Sequence, residues 1–272
     1  MSYNPRGDLE RFLAEDIGSG DITSDLLSPG TMSARIVAKE AGVLAGIGFA
    51  AQIFEIGGAS ASATWGDGDA IESDDVVLEV AGTARAILSS ERTALNLLSR
   101  MSGIATQTRA LTERIRGSGA EIFATRKTAP GLRYFDKTAV EIGGGRRHRM
   151  ALDEMVMIKD NHLAAGAVLE EVIPLAKKRH HRIEVEVEST ADAITAAECG
   201  ANIIMLDNFT PEQVAAALRA LEDGGLRGRV KVEASGRINE ENVALYARTG
   251  VDMISSGAIT SSVRGIDFSL EV

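Results

Sequence analysis

The sequence predicts an α/β protein in which a small α+β unit precedes an incomplete or compact α/β barrel. From Ala120 onward, short apolar runs alternate with longer amphipathic runs, which indicates parallel strands joined by crossover helices. The ends of these strands carry charged residues or Ser-Gly, as expected for a ring around one mouth rather than for an open sheet. A complete eight-fold barrel typically takes about 250 residues, so residues 117–264 are too few for one.

The N-terminal part has the pattern of an α+β unit. A short helix, DLERFLAED, is followed by GSGDITSDLL, where Asp21 and Thr23 are expected as cap or turn residues. Residues 31–88 then give the strand MSARIVAKE, the apolar helix GFAAQIFEIG and short strands split by Gly-Asp turns. One string, GDGDAIESDDVVLEVAG, resembles the hairpins of biotinyl and lipoyl carriers. Because no lysine lies between Lys39 and Lys127, a carrier role is not expected.

Residues 89–116 predict one long helix, capped by Ser89 or Ser90, with apolar residues recurring at helical spacing. Gly103 lies inside it, where glycine costs about 1 kcal/mol relative to alanine. Close packing against another backbone would explain that glycine, and so would a break in the helix.

The barrel part repeats a strand and a helix several times. The predicted strands are EIFAT, VMIK, IEVEVE, NIIMLD, VKVEAS and MISS. The helices between them are AAGAVLEEVIPLAKK, TADAITAAECG, PEQVAAALRALE and EENVALYARTG. The residues at the strand ends are Arg126-Lys127, Lys159-Asp160, Glu186 or Glu188, Asp207-Asn208, Ser235-Gly236 and Ser256-Gly257.

Composition excludes several classes of function. The formal net charge is −10 and aromatic residues make up 4% of the chain, which argues against a nucleic-acid or membrane-surface partner. Cys199, the only cysteine, cannot form an intrachain disulfide and is expected as a small buried hydrophobe. The sequence has no signal-peptide pattern and no apolar run of membrane-spanning length. A cytoplasmic protein is therefore expected.

One basic stretch stands out in this acidic chain. Residues 125–162 contain eight Lys and Arg against five acids, two histidines and the triplet Gly143-Gly144-Gly145, which permits close approach of backbone to a ligand. This composition predicts a pocket for a small, multiply anionic substrate.

Within this stretch the cations divide into two groups. Arg126, His148 and Arg149 have the chemistry to hold carboxylates, because arginine offers a planar fork and histidine a switchable donor. Lys127 and Lys159 suit phosphate or pyrophosphate, although Lys159 could instead form a Schiff base. The remaining cations are expected in surface ion pairs: Arg133, Lys137, Arg146 and Arg147.

Acids and small residues complete the pattern. Glu184, Glu186 and Glu188 share one face of a strand, and the first would be costly to bury. Glu186 or Glu188, with Asp207, could bind sugar hydroxyls or a hydrated Mg²⁺, or could simply pair with the basic stretch. The two Ser-Gly strand ends suit a phosphate cradle. Together these groups would bind a carboxylated ring, a sugar, a phosphate and a pyrophosphate. Phosphoribosyl transfer requires that combination.

These residues carry a resemblance to a known family. The motifs SERTALNLLSRMSGIAT, TRKTAPGLR, GGGRRHRMALDE, IKDNH, EVEVES, IIMLDNF, VEASGRI and TGVDMISSGAIT closely resemble those of the quinolinate phosphoribosyltransferases, from about Glu15 to the C-terminus. The resemblance implies an N-terminal α/β sandwich (1–103, with the tail 265–272 returning to it) and a seven-stranded, incomplete barrel (104–264). It implies that quinolinate and phosphoribosyl pyrophosphate give nicotinate mononucleotide, CO₂ and pyrophosphate, with Mg²⁺.

The resemblance also implies roles for individual residues. Arg126, His148 and Arg149 would hold the quinolinate carboxylates, with Thr125 and Lys127 lining the same pocket. The implied catalytic residues are Lys127, Lys159, Glu186 and Asp207, the two lysines at the phosphates and the two acids near the ribose and the metal. The residues implied to cradle the 5′-phosphate are Ser235, Gly236, Arg237, Ser256, Gly257 and Ala258.

Arg92 would enter the site of a partner subunit, which implies a homodimer or a hexamer built from dimers.

Two positions depart from the family pattern. Arg237 stands where the family usually has glycine, and Thr260-Ser261 stands where it usually has Thr-His.

Three other functions remain open from the sequence. One is a Schiff-base aldolase using Lys159, and the second is a non-catalytic sensor of a phosphosugar. The third is a nicotinate-specific transferase. Its substrate has one carboxylate, whereas the additional Arg/His pair seen here suits a second carboxylate. A family of molybdenum-transport-associated proteins shares the fold but generally lacks the KDNH and LDNF patterns present here.

Overall fold

A computed structural model describes residues 3–272 and divides the chain into two compact units. Unit 1 comprises the described residues up to Gln107, together with Tyr134–Gly143 and Val263–Val272. Unit 2 comprises Thr108–Arg133 and Gly144–Ser262. Unit 1 contains an antiparallel sheet and unit 2 a parallel sheet with helices, which confirms the predicted α/β class.

The helices are α1 (Arg6–Ile17), α2 (Ile47–Ile56), α3 (Ala84–Arg114), α4 (Arg133–Ile142), α5 (Asp160–Ala164), α6 (Leu169–Lys177), α7 (Thr190–Cys199), α8 (Pro211–Asp223), α9 (Val243–Ala247) and α10 (Ala258–Ser261). The strands are β1 (Thr31–Ala38), β2 (Gly42–Val43), β3 (Ser60–Ala63), β4 (Ala70–Ile71), β5 (Val76–Thr83), β6 (Glu121–Phe123), β7 (Val156–Ile158), β8 (Ile183–Val187), β9 (Ile203–Asp207), β10 (Lys231–Ser235), β11 (Met253–Ser255) and β12 (Phe268–Glu271). In the part of the chain that the structure describes, no helix has the length and apolar content needed to cross a bilayer.

Unit 1 is built on a four-stranded sheet with the order β12-β1-β5-β3. The C-terminal strand β12 pairs with β1 in antiparallel register, from Arg35 opposite Glu271 to Ala38 opposite Phe268. Ile36, Leu78 and Phe54 form part of the core of this unit and are almost fully buried. Asp21 has the expected turn role, because its carboxylate accepts the backbone N–H of Thr23 at 3.1 Å and that of Ser24 at 3.0 Å.

The long helix α3 starts earlier than the sequence predicts. The predicted cap at Ser89 or Ser90 is wrong, because Thr83 Oγ1 accepts the backbone N–H of Ala86 at 3.1 Å and the helix begins at Ala84. Ser90 is fully buried inside the helix and donates its hydroxyl to the carbonyl of Ala86 at 2.8 Å. Strand β5 runs directly into α3, so no loop marks the boundary in the sequence.

Gly103 in α3 allows close packing against another backbone. A Cβ atom added there would lie 2.1 Å from the carbonyl oxygen of Arg264 and 3.0 Å from Cα of Gly265. Both neighbours are backbone atoms, which cannot move away as the end of a flexible side chain can. The helix continues through this position, so close packing and not a break explains the glycine.

We therefore expect Gly103→Ala to destabilise the protein by about 3 kcal/mol or more, since overpacking against backbone is costly. Urea unfolding followed by circular dichroism would measure the loss as a lower midpoint. The matched control is Gly48→Ala in α2, where an added Cβ would meet no atom within 4 Å. There alanine should be neutral or stabilising by about 0.5–1 kcal/mol. Equal midpoints for the two variants would contradict the packing described for Gly103.

Helix α4 was not predicted. Its residues 134–142 belong to unit 1, whereas the predicted barrel domain of 104–264 includes them. Arg100 donates to the two carboxylate oxygens of Asp136 at 2.7 and 2.9 Å, and Asp136 is fully buried. Phe135 packs edge-on against Phe49, with 5.1 Å between ring centroids. Lys137 is also fully buried, so the predicted surface ion pair for this lysine is wrong.

Unit 2 contains a parallel sheet with the order β6-β11-β10-β9-β8-β7. On the other side of β6, a parallel bridge joins Phe123 to Arg146. The backbone N–H of Arg146 donates to the carbonyl of Ile122 at 2.8 Å, and that of Ala124 donates to Arg146 at 2.9 Å. The segment at Arg146 thus occupies the place of a seventh strand, shortened to one residue.

The parallel sheet curls into a barrel-like layer. Met155, Ile203 and Met253 form one buried cluster, against which Phe123 and Met157 pack. These residues come from β6, β9 and β11 and from β7 or the residue just before it. In a flat sheet β7 and β11 would lie about 19 Å apart, since neighbouring strands are about 4.8 Å apart. Their side chains share a cluster only because the sheet is strongly curved.

Candidate active site

A cavity of about 410 Å³ opens where the strands of unit 2 end. Nine of the residues singled out from the sequence line it: Thr125, Arg126, Lys127, His148, Arg149, Lys159, Glu186, Asp207 and Ser235. Five further lining residues were not predicted: Ala124, Met157, Met205, Glu233 and Ser255. Parallel strands bring residues that are distant in sequence to one edge of a sheet.

Two arginines form the most basic side of the cavity. Arg149 donates to the carbonyl oxygen of Met155 at 3.1 Å, and burial together with the nearby charge of Arg126 lowers the pKa of Arg149. The Nε atom of Arg126 is buried and has no hydrogen-bond partner among the described residues. A buried donor without a partner is costly. This pair of cations is therefore suited to an anion that supplies the missing acceptor.

Lys127 is positioned by hydroxyl groups and by a glycine. Its backbone N–H donates to Thr125 Oγ1 at 3.1 Å, and its carbonyl accepts the hydroxyl of Thr260 at 2.9 Å. A Cβ atom added at Gly257 would lie 2.8 Å from Cδ of Lys127. Thr260 thus supports Lys127, whereas the neighbouring Ser261 is exposed.

The acidic side of the cavity carries Glu186 and Asp207. Lys159 forms an ion pair with Glu186, whose side chain is 11% exposed. Glu188 lies beyond the end of β8 and is exposed, so Glu186 is the glutamate that lines the cavity. Asp207 accepts a hydrogen bond from the side-chain amide of Asn208 at 2.5 Å. Both acids present oxygen atoms to the same space as the basic groups.

His162, the histidine of the KDNH motif, has a structural role. Its Nδ1 atom accepts the backbone N–H of Lys159 at 2.9 Å and closes the first turn of α5. The motif therefore holds the backbone at Lys159 in place.

The two Ser-Gly strand ends differ in their geometry. Gly236 has φ +99°, and a Cβ atom there would lie 2.7 Å from the backbone nitrogen of Asn208. Arg237 follows with φ 51° and is exposed, which explains why glycine is favoured at this position. Ser256 is buried and donates its hydroxyl to the carbonyl of Ile238 at 2.7 Å. Gly236, Arg237, Ser256, Gly257 and Ala258 are not among the residues that line the cavity.

Other predicted residues lie elsewhere. Arg92 is on α3 in unit 1 and is largely exposed. Its Nη2 atom lies 3.8 Å from Oε1 of Glu91. Arg146 forms the expected surface ion pair, with Glu121 at 2.6 Å. The surface pair expected for Arg133 is wrong, because its guanidinium donates to the carbonyl of Met150 at 3.0 Å.

Cys199 ends α7 and is half-buried, so it is less buried than expected, and burial raises the pKa of its thiol.

The floor of the cavity contains a cluster that the sequence did not reveal as a unit. His148 Nε2 lies 3.1 Å from a carboxylate oxygen of Glu184 and 3.5 Å from one of Glu233. Both glutamates are fully buried, as the pattern VKVEAS could have suggested for Glu233, which alternates with Ser235 on one face of β10. Burial alone would lower the pKa of His148, but the two carboxylates outweigh it and raise the pKa to about 9.

Comparison with known proteins gives consistent matches over the chain. Residues 104–271 match the quinolinate phosphoribosyl transferase C-terminal domain and residues 21–102 its N-terminal domain. A probable nicotinate-nucleotide pyrophosphorylase [carboxylating] of Archaeoglobus fulgidus is 47% identical over 255 residues, covering 93% of this chain and 98% of that protein. The nicotinate-nucleotide pyrophosphorylase [carboxylating] of Mycobacterium leprae is 40% identical over 279 residues, covering 98% and 96%.

Among solved structures, a nicotinate-nucleotide pyrophosphorylase from Francisella tularensis superposes with a TM-score of 0.91 at 34% identity and covers 99% of this chain and 97% of its own. The corresponding structure from Ehrlichia chaffeensis gives a TM-score of 0.93 at 31% identity, covering 100% and 99%.

Proposed function

This chain belongs to the quinolinate phosphoribosyl transferase family, and we propose that the cavity of unit 2 is the site at which it carries out the family's reaction. The enzyme transfers phosphoribosyl from phosphoribosyl pyrophosphate to quinolinate and forms nicotinate mononucleotide, CO₂ and pyrophosphate in NAD synthesis. The observation that carries the assignment to this cavity is the buried Nε of Arg126, which has no hydrogen-bond partner among the described residues and lies in one cavity with Arg149 and His148.

The basic side of the cavity suits quinolinate. Two carboxylates on neighbouring ring carbons need several cationic donors at short range, and guanidinium groups bind carboxylates in a two-point fashion. Arg126, Arg149 and His148 would hold the carboxylates, with Thr125 and Lys127 beside them. Held in this way, the ring nitrogen is aimed at the anomeric carbon of the second substrate, and alignment of two reactants accounts for much of the rate.

The acidic side and the remaining lysine suit phosphoribosyl pyrophosphate. Lys159 would meet the pyrophosphate, and Glu186 and Asp207 would accept the ribose hydroxyls. Backbone N–H groups at the ends of β10 and β11 would meet the 5′-phosphate: Ser235, Gly236, Arg237, Ser256, Gly257 and Ala258. The hydroxyl of Ser256 is already donated to Ile238, so this residue would contribute through its backbone.

Mg²⁺ is part of the proposal. The carboxylates of Glu186 and Asp207 line the same cavity, and hard oxygen donors fit this ion. We place the ion on the pyrophosphate, with the two acids near its water shell and not as direct ligands. When bound, it would stabilise negative charge on the departing pyrophosphate.

The chemistry needs no nucleophilic side chain. As pyrophosphate leaves, positive character develops at the ribose, and the quinolinate nitrogen attacks from the opposite face. The ring nitrogen then carries a positive charge, so the adjacent carboxylate can depart as CO₂ and leave its bonding electrons on the ring carbon, which takes up a proton from water to give nicotinate mononucleotide. Lys159 is engaged by Glu186 in an ion pair, whereas a Schiff-base aldolase requires a lysine amine that is free to attack a carbonyl.

We further propose that the enzyme acts as a homodimer, or as a hexamer built from dimers, in which Arg92 reaches the site of a partner subunit. The exposed position of Arg92 on α3 leaves its guanidinium available for such a contact. We also propose that unit 2 is an incomplete TIM-like barrel and that the enzyme is cytoplasmic.

The proposed reaction makes a direct experimental prediction. The purified protein, supplied with quinolinate, phosphoribosyl pyrophosphate and Mg²⁺, should release CO₂ and nicotinate mononucleotide in equal amounts, measured with carboxyl-labelled quinolinate and by chromatography. Addition of a chelator should stop both products, and Mg²⁺ should restore them. Borohydride should trap no adduct on Lys159. Tight binding of both substrates without release of pyrophosphate would instead favour a sensor.

A further inference from the structure

The cluster at the cavity floor is unusual because it places two carboxyl groups and one imidazole in a largely apolar layer. Glu184 and Glu233 are fully buried, and the side chain of His148 is 6% exposed. None of the four carboxylate oxygens has a hydrogen-bond partner among the described residues. In the sheet register Glu184 stands beside Ile203 and Glu233 beside Met253, and both neighbours belong to a buried apolar cluster. Replacing a buried ionic group by apolar residues is often neutral or stabilising, so stability alone does not account for this cluster.

The position of His148 is set by several elements of unit 2. Its ring packs edge-on against Phe123, with 5.9 Å between centroids, while Glu184 from β8 and Glu233 from β10 lie beside Nε2. Its backbone has φ 53°, a left-handed conformation that non-glycine residues seldom adopt and that is concentrated at functional sites. The imidazole is therefore held between the buried acids and the open cavity, which it also lines.

Burial acts against the charged form of both partners, but the outcome differs between Glu184 and His148. Burial raises the pKa of Glu184, and the charge of Glu233 raises it further, while His148 and Arg149 oppose the shift. The other charged groups that line the same cavity are Arg126, Lys127, Lys159, Glu186 and Asp207. Because the two carboxylates raise the pKa of His148 to about 9, the imidazolium persists from acidic pH through pH 8 and is lost above about 9.

We propose that Glu184 and Glu233 are positioning residues that keep His148 as a cation facing the cavity and thereby adapt the site to a substrate with two neighbouring carboxylates. This inference deepens the proposed function and rests on it. Without the glutamates, a buried imidazole would be neutral at physiological pH. The site would then keep its guanidinium groups but lose a third positive charge, and with it much of its preference for the diacid over the monoacid nicotinate.

The direction in which quinolinate affinity changes on replacing the two glutamates separates a role through His148 from direct repulsion. Two buried carboxylates close to an anion site would, by direct repulsion, weaken the binding of quinolinate. If repulsion were their main effect, replacing them by glutamine would strengthen binding. If they act through His148, the same replacement weakens binding, and only at a pH where the imidazole then loses its proton.

The first measurement requires no variant. Side-chain ¹⁵N NMR of the histidines in the whole protein, with the signal of His148 assigned by its loss in His148→Asn, should show this residue titrating near pH 9, while the exposed His180 and His181 serve as internal references. Titration of His148 near the ordinary histidine value of about 6.5 would overturn the proposal. A stoichiometric metal ion bound by His148, Glu184 and Glu233 in the purified protein would overturn it as well.

The second measurement uses calorimetry with quinolinate alone, so that no turnover occurs. The double variant E184Q/E233Q should bind about 30-fold more weakly than the wild type at pH 8, because only a small fraction of its imidazole is protonated there. At pH 6 the difference should shrink to less than about twofold, because an imidazole with the ordinary pKa of about 6.5 is mostly protonated there, and nicotinate binding should change little at either pH. The control is Glu222→Gln on the exposed side of α8, which should match the wild type.

Tighter binding of quinolinate by the double variant would contradict the proposed role of the glutamates. An equal loss of quinolinate affinity at pH 6 and pH 8 would contradict it as well. If the protein proved inactive in the proposed reaction, the NMR and calorimetry results would still hold, because neither measurement depends on catalysis. The two proposals are therefore tested separately.

Discussion

Arg126→Ala should raise the KM for quinolinate about 100-fold or abolish activity, while the protein remains folded. A charged two-point contact in a partly buried site is worth about 3 kcal/mol, which corresponds to about two orders of magnitude in affinity. The effect on the KM for phosphoribosyl pyrophosphate should be small, because the proposed contacts of that substrate lie with Lys159, Glu186 and Asp207. Initial rates with each substrate varied in turn would separate the two constants.

Arg126→Ala should not lower the stability of the folded protein. The Nε atom of Arg126 is buried without a partner in the described residues, so its removal takes away a desolvation cost. We expect the thermal midpoint of Arg126→Ala to equal or exceed that of the wild type. The matched control is Arg146→Ala, from the same basic stretch, whose exposed pair with Glu121 contributes at most about 1 kcal/mol. Wild-type kinetics for Arg126→Ala would rule out the carboxylate role.

The cavity could be predicted from the sequence because its residues stand at the ends of regular strands. Arg126, Lys159 and Asp207 each follow a short apolar run, and parallel strands bring such ends to one mouth. The choice between Glu186 and Glu188 could not be made from alternation alone. It depended on where β8 ends, which places Glu186 inside the cavity and Glu188 outside it.

The parts that were not predicted involve tertiary partners. Helix α4 carries Asp136 and Lys137 on its buried side, so charged residues interrupt the apolar pattern by which a helix is recognised. Asp136 is compensated by Arg100, which lies 36 positions away in the sequence. The seventh strand is reduced to a bridge at Arg146, too short for any periodic signal. Distant pairing of this kind leaves no local mark in a single sequence.

The histidines illustrate the same limit. His148 and His162 are both close to glycines or cations in the basic stretch, and both could have been ligands. His162 instead accepts a backbone hydrogen bond from Lys159, whereas His148 faces two buried acids from β8 and β10. The difference arises from residues about 35 and 85 positions further along the chain.

Two inactive variants, Arg92→Ala and Lys159→Ala, should regain activity when they are mixed. Each variant alone should lose at least about 99% of the activity, because loss of a cation at an anion-binding site costs about 3 kcal/mol. If Arg92 enters the site of a partner subunit, a mixed dimer contains one site that lacks both groups and one that has both. Random exchange of equal amounts then restores about a quarter of the wild-type sites, since half of the dimers are mixed.

The mixed dimer can be isolated with two different affinity tags, in which case about half of its sites should be intact. The control is a mixture of Lys159→Ala with Glu186→Gln. Both residues lie in the same cavity of unit 2, so every site in a mixed dimer still lacks one group and activity should not return. If Arg92 acts within its own subunit, its mixture with Lys159→Ala would also stay inactive. Recovery confined to the Arg92 mixture therefore requires that one subunit completes the site of the other.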